Sequence, residues 1–217
     1  MNQHNSRMNK LTTQIIGFFI VIAIAIAALY YSGVFSGNNA GSGSNETVAT
    51  DRTARTVEIL VYSDYACPAC RFYDPLTQQL DREYGENVIL RHRHFVLGSF
   101  PNSEIAHRAV EAAKRQDKFL DMHDLAYEFQ AEWSPSHVNA RAFFTELAEG
   151  IGLDMDQFLA DLDSDEIGQI LESHRQEGIR RTVNATPSFF VDGHKLRQNP
   201  QSYEQFKSIV ELYMYRN

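Results

Sequence analysis

Cys67 and Cys70 are the only two cysteines of the chain, and they stand in the run Cys67-Pro68-Ala69-Cys70. That spacing puts both sulfurs on one face of a first helical turn, within the Cα separation a disulfide tolerates. A bridge across so few residues closes too small a loop to constrain the unfolded chain, which argues against a static staple. Thr56 to Tyr62 is strand-like, and Arg71 to Tyr84 has the pattern of an amphipathic helix. Cys67 then falls at the helix cap, and Pro68 takes the first helical position, where its missing N–H is not needed. Unpaired N–H groups and the positive helix end favour a thiolate at Cys67. A Cys-x-x-Cys at a strand-to-helix junction implies thiol–disulfide exchange. No organic cofactor is expected, because the Cys67–Cys70 pair itself carries the two electrons.

Composition narrows the alternatives. The chain has 217 residues and a net charge of −8, enough length for one sizeable domain and the wrong sign for a nucleic-acid binder. Two cysteines cannot build a structural zinc site of four thiolates. In Arg91-His92-Arg93-His94 the period of two sets both histidines on one face and both arginines on the other. A copper site of Cys67, Cys70 and a histidine is the weaker reading of these residues, since thiolates suit Cu(I); no metal site is expected. His107 and Glu111 share a helical face that reads as solvated, His123 reads as helix packing, and Tyr65 as padding at the rim of the site. Met155, Phe143 and Phe144 read as core.

The elements that must hold the pair follow from periodicity. A second strand is expected over Asn87–Leu97, bounded by Gly85 and by Gly98, Ser99 and Pro101. From Ser103 to about Arg180 the period is helical, with a break at Trp133-Ser134-Pro135 and helices over Asn139–Glu149, Met155–Leu162 and Asp165–Arg180. Strand character returns at Ser188–Val191, Asp192-Gly193 is a hairpin turn signal, and a last helix covers Ser202–Tyr213. The order β-α-β, helical block, β-turn-β-α predicts an α/β core with an all-helical insertion.

The N-terminus bears on the compartment. No charged residue lies between Lys10 and Glu46, and Leu11 to Tyr31 is almost wholly apolar, about the 20 residues that span a bilayer core. Arg7 and Lys10 before it orient the N-terminus to the cytoplasm, with everything after Tyr31 outside. Ala23, Ala25 and Ala27 offer the alternative of a cleaved signal peptide. In both cases the cysteines face the oxidising side. The expected divisions are a cytoplasmic N-terminus (1–10), a transmembrane signal anchor (11–31), a flexible Gly/Ser/Asn linker (32–55), the α/β core (56–98 and 181–217) and the insertion (99–180).

Several separated stretches resemble the thioredoxin superfamily, in its DsbA-like branch with a helical insertion. They are Ser63-Asp64-Tyr65-Ala66-Cys67-Pro68-Ala69-Cys70, Arg93-His94-Phe95, Phe119-Leu120-Asp121-Met122-His123-Asp124, and Ala185-Thr186-Pro187-Ser188-Phe189-Phe190-Val191-Asp192-Gly193. The resemblance implies a thioredoxin-like fold and a two-step exchange. Cys67 is the exposed attacking thiolate, and Cys70 the deeper thiol that resolves the mixed disulfide. Pro187 is the cis-proline facing the redox helix, and it presents the backbone of Thr186 to a client strand. Asp64 reads either as a carboxylate that assists proton transfer or as a polar residue ending a strand. The implied partners are cysteine-containing extracytoplasmic proteins and a membrane redox protein that recycles the pair. Ala69 stands where strong oxidases of the branch carry histidine, so oxidase and reductase or isomerase stay open, with a chaperone as the non-enzymatic alternative.

Overall fold

The computed structural model describes residues 54–216. The expected anchor at 11–31 and all but the last two residues of the expected linker lie outside them. Among the described residues no helix is long and apolar enough to cross a membrane.

Strand β1 (Val57–Ser63) is an interior strand of the sheet. It is buried along nearly its whole length, so it reads as a continuous apolar run rather than an alternation. Helix α1 (Pro68–Tyr84) leads from it to β2 (Val88–His94), which pairs with β1 in parallel from Val57↔Val88 to Ser63↔His94. On the other side β3 (Ser188–Val191) pairs with β1 antiparallel, Tyr62 opposite Ser188. A short β4 (His194–Lys195) closes the sheet in the order β2-β1-β3-β4. The turn between β3 and β4 is built by Asp192 and Gly193, both at positive φ (47° and 77°) as a two-residue hairpin requires.

Between β2 and β3 run six helices: α2 (Ser103–Lys114), α3 (Phe119–Glu128), α4 (Gln130–Trp133), α5 (Ala140–Gly150), α6 (Met155–Leu162) and α7 (Asp165–Arg180). Asn139, Asp154 and Ser164 cap α5, α6 and α7 by accepting from backbone N–H groups three residues on. Helix α8 (Tyr203–Met214), capped by Ser202, ends the chain's regular structure.

Alternation along β1 splits its side chains between two layers. Val57, Ile59 and Val61 pack with Leu80 of α1 and with Phe206, Val210 and Met214 of α8. Leu60 and Tyr62 face Phe95, Val183 and Phe190. Helix α7 covers this second face so closely that a Cβ at Gly178 would sit 2.8 Å from the Phe95 ring. The insertion has its own core around Trp133, Phe144, Phe158, Leu162 and Ile167, and Tyr65, Ala66, Cys67 and Cys70 belong to it. The redox segment therefore rests on the insertion as well as on the sheet.

Strand β2 stops at His94, three residues short of the expected end. Phe95 still donates to Ser63 O at 2.9 Å, but the N–H of Leu97 turns to the Asp64 carboxylate at 2.6 Å and leaves the ladder.

Candidate active site

Cys67 is the N-cap of α1, with extended backbone (φ −80°, ψ 119°), and Pro68 follows at the first helical position. The cap residue must expose its side chain at the helix end, which is where the sulfur needs to be. The cysteines are unbridged, Cys67 at 7 % and Cys70 at 2 % exposure. Cys70 is the deeper of the two, and Cys67, expected to be exposed, is itself largely enclosed. The Thr186–Pro187 bond is cis, and the Cys67 thiol donates to the Thr186 carbonyl at 3.5 Å. The structure thus brings Cys67, Cys70, Pro68, Thr186 and Pro187 into one site from two distant stretches of chain.

The two sulfurs divide their proton unequally. The Cys67 thiol is drawn down to about 6, chiefly because the Cys70 thiol donates to it, against the cost of burial. The Thr186 hydroxyl and the backbone N–H groups of Cys70 and Ala69 add to this. That hydroxyl is buried and has no hydrogen-bond partner within normal distance. The helix end thus contributes, but the neighbouring thiol contributes most. Burial pushes Cys70 far up, and its role as donor to a charged Cys67 pushes it further. At pH 7 a group of pKa about 6 is roughly nine-tenths ionised. The arrangement provides one nucleophilic sulfur and one that keeps its proton.

Asp64 meets Cys70 through its main chain: its N–H donates to Cys70 Sγ at 3.4 Å. Its carboxylate points elsewhere and is fully occupied. Oδ1 accepts from Ala66 N–H (2.8 Å) and from the Ser103 hydroxyl (2.6 Å), Oδ2 accepts from Leu97 N–H, and His107 Nε2 lies 3.6 Å from Oδ1. Burial alone would raise its pKa, but His107 and these donors overcome it and hold the carboxyl below its ordinary value. Asp64 thereby ties the turn before Cys67 to α2 and to the segment after β2.

Three readings of single residues change in the fold. Tyr65 is no rim residue: it is buried, and its hydroxyl shares a 2.8 Å hydrogen bond with His123 Nδ1, whose Nε2 reaches Asp74 at 2.7 Å. His107 and Glu111 do not form a solvated face; both are buried, with His94 between them. Gln130 carried no signal in the sequence, yet its side-chain amide donates to the carbonyls of Tyr65 (2.6 Å) and Cys67 (3.1 Å). The helix around His107 and Glu111 gave no local sign of their burial. Six of its twelve residues are polar and fall on one side, so only packing against other elements buries it. His123 packs inside, as expected, and Phe144 is core, with Phe143 and Met155 against it.

A family model described as thioredoxin matches residues 46–212. The chain belongs to the thioredoxin family. Among its relatives is a probable disulfide bond formation protein D of Bacillus anthracis, 25 % identical over 199 residues, which cover 86 % of this chain and 89 % of that one. A Na(+)/H(+) antiporter NhaA of Herminiimonas arsenicoxydans is 31 % identical over 139 residues, 64 % of this chain and 21 % of the antiporter. The chain thus spans about a fifth of the length of such antiporter relatives. The crystal structure of α-DsbA1 from Wolbachia pipientis superposes with a TM-score of 0.65 at 14 % identity, covering 74 % of this chain and 86 % of that one. This thioredoxin-family protein has the fold of the DsbA-like branch, with the helical insertion between β2 and β3.

Proposed function

We propose that this protein is a DsbA-type thiol–disulfide oxidoreductase that donates the Cys67–Cys70 disulfide to cysteine-containing proteins outside the cytoplasm. The observation that carries the reading is the unequal pair at the start of α1, a Cys67 sulfur with pKa about 6 above a Cys70 held protonated. In the donating direction a client thiolate attacks Cys67 Sγ. The Cys67–Cys70 bond breaks, and its electron pair ends on Cys70, which takes up a proton. A second client thiolate then attacks the client sulfur of the mixed disulfide, and Cys67 leaves as a thiolate. A stabilised leaving thiolate speeds that second step and favours the dithiol form, which makes the disulfide an oxidant.

The Thr186 carbonyl beside Cys67 supports docking of the client as an extended strand, with main-chain affinity and little sequence preference. The apolar run Leu11–Tyr31 behind Arg7 and Lys10 supports a membrane anchor with the site on the extracytoplasmic side. A membrane redox partner would then reoxidise the pair.

The test is the reduction potential of the pair in glutathione buffers. A donor is expected to lie above roughly −200 mV, toward the oxidising end of the family range. A value near −270 mV, the thioredoxin end, would make the protein a reductase or isomerase kept as a dithiol.

A further inference from the structure

Behind the cysteines, on the side away from solvent, lies an unbroken chain of titratable groups. Asp64 Oδ1 is 3.6 Å from His107 Nε2. His107 Nδ1 is 2.7 Å from His94 Nδ1, and His94 Nε2 is 2.8 Å from Glu111 Oε1. Lys114, half-exposed, closes the line on Glu111 at 2.8 Å. Asp64, His107, His94 and Glu111 are all buried. The chain thus begins at the residue whose N–H holds Cys70 Sγ and ends at the surface of α2.

The hydrogen bonds define how many protons this chain holds. The short contact between two Nδ1 atoms requires one proton between the histidines, and Glu111 accepts another from His94 Nε2. Burial drives the His94 ring down to about 3, so it stays neutral, while His94 and Lys114 hold Glu111 down to about 2 against the effect of its own burial. The one undecided position is His107 Nε2. It stands between a donor, the N–H of Tyr65 at 3.4 Å, and an acceptor, the Asp64 carboxylate. A ring nitrogen placed so has a partner with its proton and without it.

We infer that His107 binds one proton that is linked to the redox state of Cys67–Cys70. The inference rests on the thiol–disulfide reading of the site. When two thiols reduce the pair, the S–S bond breaks and two electrons enter. The two thiols release two protons as they become a disulfide. Cys70 keeps one, Cys67 remains a thiolate, and the second proton is left over. His107 Nε2 takes it, so the new negative charge in the enclosed site meets a new positive one. Reoxidation, as Cys67 and Cys70 re-form their bond, releases it again. The charged and titratable groups facing this pair are Asp64 and Tyr65 from the β1–α1 turn, Glu111 and Lys114 from α2, and His174 from α7, stacked on His94 at 5.3 Å. Burial, and Arg93 beside it, lower His174 to about 4, so it does not compete for the proton near neutrality.

The experiment follows the histidine ring carbons by NMR in the full-length chain, across pH 5–8, in the dithiol form and after oxidation. His107 is assigned by the signal missing in His107→Gln. The expected result is a midpoint that gives at least tenfold tighter proton binding in the dithiol form. An equal midpoint in both forms overturns the inference. A second reading needs no assignment: the glutathione equilibrium constant between pH 6 and 7. Without a proton store it changes about tenfold per pH unit once Cys67 is a thiolate. Over pH 6–7, with Cys67 still ionising at the lower end, His107→Gln is expected to change about fivefold and the native chain less than threefold; equal slopes overturn the inference. If the native chain fails to exchange with glutathione at all, the functional reading falls, while the NMR comparison on chemically oxidised and reduced protein still decides the proton site.

Discussion

Replacing Cys70 by alanine isolates the origin of the Cys67 thiolate. In the native site the Cys70 S–H is the largest influence lowering Cys67, ahead of the Thr186 hydroxyl and the helix N–H groups. A hydrogen bond to a charged group is worth about 1.5–3 kcal/mol, which corresponds to about 1–2 pKa units. Cys67 should therefore rise from about 6 to roughly 7–8 in Cys70→Ala. At pH 7 the ionised fraction would fall from roughly nine-tenths to between a half and a tenth. The sign is that of an acid losing a donor to its charged form, so the native thiolate is lost as pH falls through 6, and the variant's one to two units higher. The assay is the pH dependence of iodoacetamide alkylation, with thiolate absorbance at 240 nm as an independent titration. An unchanged midpoint in Cys70→Ala would refute this account and assign the thiolate to the helix end and Thr186 alone.

Three further outcomes are expected. Asp64→Ala leaves the N–H groups of Ala66 and Leu97 without their acceptor and should lower stability by about 3 kcal/mol or more in urea unfolding. Because the folded Asp64 carboxyl lies below its unfolded value of 3.8, the part of its contribution that depends on charge is full above that value and is lost as pH falls further, so the gap between native and variant should narrow only in strong acid. Gln130→Leu strands the Tyr65 carbonyl beneath the redox turn; a loss of about 1–2 kcal/mol together with slower mixed-disulfide formation is expected in stopped-flow exchange, and native rates would show that the turn holds without it. Gly178→Ala forces a methyl against the Phe95 ring at 2.8 Å and should destabilise the fold by about 1–3 kcal/mol, read as a lower unfolding midpoint with the Cys67 titration unchanged.

The redox centre was legible in the chain itself because its signals are local. A Cys-x-x-Cys, a proline one residue into a helix and a strand before it depend on neighbours within a few positions. The same holds for the Asp192-Gly193 hairpin and for α7, whose limits follow from the Ser164 cap and its periodicity. The union of Thr186 with Cys67, 119 residues away, came through family resemblance rather than through any local rule.

What only the tertiary structure decided is the polar architecture behind the cysteines. His107 and Glu111 look the same on a helical wheel whether that face meets water or β2. Burial is a property of what packs against a helix, and the packing partners, His94 and Asp64, come from other parts of the chain. Gln130 is invisible for the same reason, since its two acceptors are main-chain carbonyls present at every residue. Local sequence thus determined where the thiolate forms, whereas the destination of its companion proton depends on long-range contacts that bring four buried groups into line.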